Sequence, residues 1–261
     1  MSNIVQLQIQ QFLLIYLLLI VVILIMKKCR IDQSKLLVLA SIKMSVQLVI
    51  AGLILTYIFK HPHPLFTLLY VTAMTGFAIH RVISKNKGVN KRFKIVIALS
   101  IAFSGLLIII YFIVAVVGEN LFNPQYVIPI SGMIMGNVMT GVSLGVKTFR
   151  EANQRQKEQQ ALLCIGADPA FILMPLVRQS LQTAMLPTIN SMVGMGIVAL
   201  PGMMTGQILA GTLPTTAILY QIAIMIAICT AVTSACFGSL YFGFRTLYNK
   251  ETAIIERIES K

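Results

Sequence analysis

The sequence carries little charge of either sign. Only 11% of its 261 residues are Asp, Glu, Lys or Arg, whereas a soluble domain has about a quarter. Hydrophobic residues make up 57% of the chain, and tryptophan is absent. A chain of this composition has too few polar residues to cover a surface in water. The sequence therefore excludes an ordinary soluble protein and predicts a membrane protein.

Acidic residues and cysteines are also scarce. None of the 8 Asp and Glu residues lies in the middle of an apolar stretch, which argues against a proton relay through the membrane. No H-E-x-x-H zinc motif occurs and no nucleophile elbow is predicted. The 4 cysteines form no C-x-x-C pair. Cys229 and Cys236, on one predicted helix face, are either packing residues or soft-metal ligands, and packing is the simpler interpretation.

Long apolar stretches predict an all-α, polytopic membrane protein. About seven stretches approach the length needed to cross a ~30 Å hydrocarbon core. They form a single domain over residues 1–261, and their approximate bounds are 5–26, 36–59, 65–84, 95–117, 125–148, 184–210 and 215–243. The segment Gly141–Thr148, GVSLGVKT, is not a phosphate loop, because Val146 separates the glycine from the lysine and a membrane helix precedes it.

The net charge of +13 follows the membrane topology. With the N-terminus outside and seven crossings, all but Lys60 of the 21 Lys and Arg residues fall on the cytosolic side. This is the positive-inside bias that orients membrane proteins. The sequence therefore predicts a multi-pass protein of the cell membrane, with its C-terminus inside. The basic residues are expected to meet anionic lipid and not nucleic acid.

A short polar segment interrupts the apolar sequence over residues 150–187. It predicts a polar helix, a tight turn and a second helix, so that a helix-turn-helix spans about 149–183. Gly166 is expected in the left-handed conformation that ends many helices. Asp168 stands where an N-cap belongs and Pro169 at the first helical position. A rigid elbow of this kind is typical of a docking element.

The last three predicted spans are richer in glycine, proline and amides than the first four. Pairs of glycines four apart, such as Gly141 and Gly145, are typical of closely packed membrane helices. Pro201 and Gly202 predict a break in the sixth span. We therefore expect a substrate path beside this span, with the following candidate residues: Asn137, Asn190, Met192, Met195, Pro201, Gly202, Met204 and Gln207. The amides are alternatively hydrogen-bond partners between helices, and the methionines packing residues. No metal-ligand set can be assigned.

Three strings in the second half of the chain resemble one known family. They are PISGMIMGNVMTG at 129–141, ALLCIGADPAF at 161–171 and NSMVGMGIVALPGMMTGQILAGTLP at 190–214, followed by Tyr220 and Gln221. In this order they are similar to the FetB-like iron-export permeases, which include the plant aluminium-sensitivity permeases. The helix-turn-helix resembles the coupling loop of ABC-transporter permeases. Asp168 and Pro169, however, stand where the FetB-like permeases are expected to have a small hydroxyl residue.

The resemblance implies a permease subunit without its own ATPase site or cofactor. ATP would be bound by a separate ABC ATPase, two permeases would pair with two ATPases, and iron would be exported. It implies that the ATPase contacts residues of the elbow, namely Glu158, Gln160, Ala161, Gly166, Ala167, Asp168 and Pro169. An ABC permease for an organic solute such as a nucleotide sugar is the alternative. A membrane enzyme and a membrane scaffold are further alternatives, disfavoured by the missing catalytic groups and by the broken sixth span.

Overall fold

The computed structural model describes residues 9–86, 88–153, 161–162, 164–246, 248–249 and 254–255. Nearly all of these residues are helical. The helices are numbered in chain order: α1 Ile9–Lys28, α2 Ser34–Lys60, α3 Pro64–Lys85, α4 Lys91–Tyr111, α5 Pro124–Ala152, α6 Pro169–Gly194, α7 Gly202–Leu209 and α8 Pro214–Phe244. Helix α4 continues as a π-helical end, Phe112–Val117. Strands β1, Tyr248–Asn249, and β2, Ile254–Ile255, pair in antiparallel orientation.

The chain divides into two compact units. The first unit comprises residues 1–62 and 209–211, and α1 and α2 form a helical hairpin in it. Arg30 turns the chain between them with a φ of +53°. The hydroxyl groups of Tyr16 and Ser45 share a hydrogen bond across the hairpin. Most of the apolar side chains described on α1 and α2 are exposed, as expected of helices that face lipid.

The second unit comprises residues 63–208 and 212–261, and α8 is central to it. Helices α4, α5 and α6 all pack against α8, and α3 packs against α5. The buried core combines Ile, Val and Phe side chains of α4 and α5 with Ala side chains of α8. At the centre, a Cβ atom added to Gly145 would lie 2.6 Å from Cys236 Sγ and 3.2 Å from Ala184 Cβ. The Gly141 and Gly145 pair thus permits the close helix packing that the sequence predicts.

Local sequence sets several helix ends. Helix α5 begins at Pro124, and the Asn123 side chain accepts a hydrogen bond from the Gln125 backbone N–H at 3.2 Å. Proline is tolerated at the first helical position because a backbone N–H at that position would have no acceptor within the helix. Likewise, Asn90 Oδ1 accepts from the Phe93 N–H at 2.7 Å, and Asn90 Nδ2 donates to the Thr246 carbonyl at 3.1 Å. This last bond ties the start of α4 to the end of α8.

Within the described residues, five helices are long and apolar enough to cross a membrane: Ser34–Lys60, Pro64–Lys85, Lys91–Val117, Pro124–Ala152 and Pro214–Phe244. They correspond to the second, third, fourth, fifth and seventh predicted spans. The predicted sixth span, 184–210, has the wrong bounds. Residues 169–194 form one helix, residues 195–201 are not helical, and α7 follows. Pro175 and Pro187 lie inside α6 without ending it.

Candidate functional site

The elbow has the turn that the sequence predicts. Gly166 has a φ of +85°, which is the left-handed conformation. The Ala167 N–H donates to the Leu162 carbonyl oxygen at 3.0 Å, and the Ile165 N–H donates to the Ala161 carbonyl at 3.3 Å. The first of these bonds closes the six-residue turn of a Schellman motif. The helical segment before the turn therefore ends in a defined geometry.

A new helix begins immediately after this turn. Helix α6 starts at Pro169, and the Phe171 and Ile172 N–H groups donate to the Asp168 carbonyl at 2.9 and 3.2 Å. The expected helix start at Asp168 and Pro169 is thus confirmed. The predicted bounds of the elbow are not, because Arg150 belongs to the end of α5 and α6 continues beyond residue 183 to Gly194. Glu158 and Gln160 lie outside the described residues.

Two large apolar side chains flank the turn and are exposed. Ile165 is 79% exposed and Phe171 is 75% exposed. Ala161 and Cys164 are also exposed, whereas Ala167 is partly buried. The ATPase contacts expected from the sequence did not include Ile165 and Phe171. Large apolar residues beside a turn in a polar segment were the available signal, because such residues are normally buried.

A second feature lies where α6 ends. After Gly194 the chain leaves the helix, and Gly196 has a φ of +83°. The Gly196 N–H donates to the Ala199 carbonyl at 3.0 Å, and the Val198 N–H donates to the Gly194 carbonyl at 2.9 Å. Residues 195–201, here called the irregular segment, therefore form a compact turn before α7. The predicted interruption is present, but it begins at Met195 and not at Pro201.

A cleft of about 480 Å³ lies between α5, α6, α8 and the irregular segment. Its lining includes five predicted path residues, which are Asn137, Asn190, Met195, Pro201 and Gly202. Asn137 Nδ2 donates to the Met133 carbonyl of its own helix at 2.8 Å. We call this the first cleft.

A second cleft of about 470 Å³ lies beside the first. Its lining includes three predicted path residues: Met192, Met195 and Met204. Both linings contain Met195, Gln221 and Met225. On α8 the first cleft is lined over residues 221–228 and the second over residues 218–226, so the two clefts lie side by side on neighbouring faces of this helix.

Gln221 is a cleft residue that the sequence prediction missed. Its side chain is only 6% exposed, and its Nε2 donates to the Met195 sulfur at 3.7 Å. The available signal was a lone amide in an apolar run, since polar groups within a membrane helix usually serve a function. In contrast, the predicted Gln207 lines neither cleft. Its Oε1 is buried without a hydrogen-bond partner among the described residues.

Other candidate chemistry finds no support in the described part of the chain. No group of three His, Cys, Asp or Glu side chains is placed to hold a metal ion there. Cys236 is buried against Gly145, which fits the packing interpretation. The run Gly141–Gly145 matches G-x-S-x-G, contrary to the expectation from sequence. However, it lies inside helix α5 and Ser143 is buried, so it is not the exposed strand-to-helix turn of a nucleophile elbow.

Comparison with known proteins places the chain in a family. The profile of the uncharacterised protein family UPF0014 matches residues 9–248. The UPF0014 membrane protein YjkA of Bacillus subtilis is 34% identical over 215 residues, covering 80% of this chain and 83% of YjkA. The probable iron export permease protein FetB of Escherichia coli is 33% identical over 214 residues, covering 80% of each chain. The protein ALUMINUM SENSITIVE 3 of Arabidopsis thaliana is 30% identical over 206 residues, covering 78% of this chain and 74% of that protein. No solved structure matches. The chain belongs to the UPF0014 family of membrane proteins, as the resemblance to FetB-like permeases predicts.

Proposed function

We propose that this chain is the permease subunit of an ABC transporter that exports a metal ion, iron, from the cytosol. A separate ATPase subunit would dock on the elbow and hydrolyse ATP. The similarity to a probable iron export permease supports iron as the cargo. The observation that carries the proposal is the elbow itself, where two exposed apolar side chains flank a turn of defined geometry.

The elbow has the properties of a docking element. Exposed aromatic and aliphatic side chains on a rigid support are the usual anchors of protein interfaces. Ile165 and Phe171 are such side chains; Ile165 lies in the turn itself and Phe171 in the first turn of α6. Because α6 runs from Pro169 to Gly194 without interruption, a movement at the elbow would be transmitted along this helix to the irregular segment and the clefts.

The depth of the clefts supports a transport path. Gly145 approaches the Ser180 carbonyl of α6, so the nearby Lys147 and Arg178 lie at a similar level, which we assign to the cytosolic edge of the bilayer. From Arg178 to Gly194 a helix rises about 24 Å. This is short of the ~30 Å hydrocarbon core, so the irregular segment would lie within the membrane. Non-helical backbone is tolerated there only against protein or a cavity.

ATP binding is assigned to the partner subunit. Gly141–Thr148 lies within helix α5, whereas a phosphate loop follows a strand and opens a helix.

We further propose that the N-terminus is outside, that the C-terminus is cytosolic and that the protein resides in the cell membrane. Two copies would pair with two ATPases, because ABC transporters hydrolyse ATP between two ATPase subunits.

Affinity purification of the full chain from its own membranes tests the proposal. We expect an ABC-type ATPase to co-purify with the wild type and to be lost with Ile165→Asp. The matched control is Ile31→Asp, at an exposed apolar residue outside the elbow. The isolated permease, freed of the ATPase, should not bind ATP. Stoichiometric ATP binding by the isolated chain, or equal ATPase recovery with Ile165→Asp, would refute the assignment.

A further inference from the structure

Methionines are concentrated around the two clefts. The first cleft is lined by Met133, Met195, Met203 and Met225, and the second by Met192, Met195, Met204 and Met225. Six of the 14 methionines of the chain are therefore found here. Along α8 the clefts extend over residues 218–228, which is about 15 Å of helix. Two of these methionines, Met195 and Met225, line both clefts.

The sulfur of Met195 faces a polar group. It lies 3.7 Å from Gln221 Nε2, and both residues line both clefts. Because Gln221 lines both clefts, its carboxamide lies where they meet, and rotation of the amide would present its oxygen in place of its nitrogen. A thioether is a weak hydrogen-bond acceptor, so a bound cation could displace this contact at little cost. Met195 also stands at the start of the irregular segment and not within a helix.

The donors at the junction are all neutral. No Lys, Arg, His, Asp, Glu or Cys occurs among the residues lining either cleft. The desolvation free energy of an ion grows with the square of its charge, so neutral donors hold a resting monovalent ion more readily than a divalent one. Thioether sulfur prefers soft ions such as Cu(I) over hard or borderline ions.

We infer that the junction of the two clefts binds a soft monovalent cation of the Cu(I) and Ag(I) class. Met195 and Met225 provide the sulfur ligands, and Gln221 Oε1 provides an oxygen. This site goes beyond the proposed iron export, since the binding requires neither an ATPase nor iron. Only the idea that the bound cation is also transported rests on the proposed function.

A third cleft supplies a matched control. It has a volume of about 440 Å³ and is also lined by methionines, Met74, Met135 and Met139, but its lining contains no amide side chain. Met135 packs there against Gly105, because its Cε lies where a Cβ atom of residue 105 would be. The third cleft therefore has methionines in a packing role and no amide beside them.

Silver binding to the purified full chain tests the inference, with Ag(I) as a redox-stable probe. The parent protein should carry Cys29→Ser, Cys164→Ser, Cys229→Ser and Cys236→Ala, because thiols would otherwise bind Ag(I) first. We compare Met195→Leu/Met225→Leu with Met74→Leu/Met139→Leu by equilibrium dialysis. Met and Leu have similar volumes, so both double variants should keep the fold, which thermal unfolding checks.

We expect the Ag(I) Kd of Met195→Leu/Met225→Leu to rise by about tenfold or more over the parent, and that of the control to stay unchanged. If the double variant does not fold, Met195→Leu alone carries the same comparison. Equal affinities in the two variants, or a cysteine-free parent that does not bind Ag(I), would overturn the inference. Neither result would bear on docking of the ATPase, which is tested without silver.

Discussion

The ring of Phe93 occupies the space that a side chain at Gly243 would need. A Cβ atom at residue 243 would overlap the ring edge of Phe93, which is fully buried and stands edge-on to Phe149 at a centroid distance of 6.2 Å. Gly243→Ala should therefore displace the ring and lower the free energy of unfolding by about 1–3 kcal/mol. Thermal unfolding of the purified protein in detergent measures this.

Gly76→Ala is the control for that substitution. No atom lies within 4 Å of a Cβ added at Gly76 in α3, and alanine is the better helix former. We expect its unfolding temperature to be equal to that of the wild type or higher. An unfolding temperature of Gly243→Ala that matches Gly76→Ala would show that α4 and α8 are not packed as described.

The membrane orientation predicts which cysteines an impermeant maleimide reaches on intact cells. In a cysteine-free background, Lys60→Cys should be labelled, because Lys60 is assigned to the outside. The native Cys164, restored alone, is exposed on the elbow and should be labelled only after the cells are permeabilised. Labelling of Cys164 but not of residue 60 on intact cells would show that the orientation is the opposite of the one proposed.

The turn at Gly166 should matter for coupling more than for stability. A β-branched residue in the left-handed conformation costs about 1–2 kcal/mol, so Gly166→Val would redirect the start of α6 relative to the preceding helix. We expect the variant to reach the membrane at normal levels, while substrate no longer changes the ATPase rate of the complex. Gly206→Val is the control, since this glycine has no positive φ and an added Cβ meets no atom within 4 Å. If substrate still changes the ATPase rate of the Gly166→Val complex as it does in the wild type, the elbow is only a connector between two helices.

Local signals in the sequence predicted the turn of the elbow correctly. The left-handed Gly166 and the start of α6 at Pro169 depend on interactions within a few residues. The extent of α6 could not be predicted in this way. Pro175 and Pro187 suggest helix ends in isolation, but neighbouring helices can compensate the backbone groups that a proline frees within a membrane protein.

The candidate site was only partly predictable for a similar reason. The amides and methionines of the second half of the chain indicated a path, and most of them do line the clefts. The exposed fraction of a side chain, however, depends on the whole fold. The sequence places Ile165 and Phe171 beside a turn, but only the structure shows that no part of the described chain covers them. Gln207 and Gln221 could not be ranked from sequence, because both are lone amides in apolar segments.

Gln221 should be required for transport although it is not required for folding. Gln221→Leu keeps the volume of the side chain and removes the donor to Met195, so the free energy of unfolding should change by less than about 1.5 kcal/mol. Transport of the cargo should fall well below that of the wild type. Gln125→Leu, an exposed glutamine near the start of α5, should transport normally. If Gln221→Leu transports as well as Gln125→Leu, the clefts do not form the path.

ATP-dependent accumulation of radioactive iron in inside-out membrane vesicles tests the central claim most directly. Vesicles that contain the wild-type chain and its native ATPase should accumulate iron with ATP but not with a non-hydrolysable analogue. Vesicles with Ile165→Asp, at equal protein levels, should not accumulate it, whereas Ile31→Asp should behave as the wild type. Accumulation no higher than in vesicles lacking the chain, or equal accumulation with Ile165→Asp, would contradict an iron-exporting permease driven through the elbow.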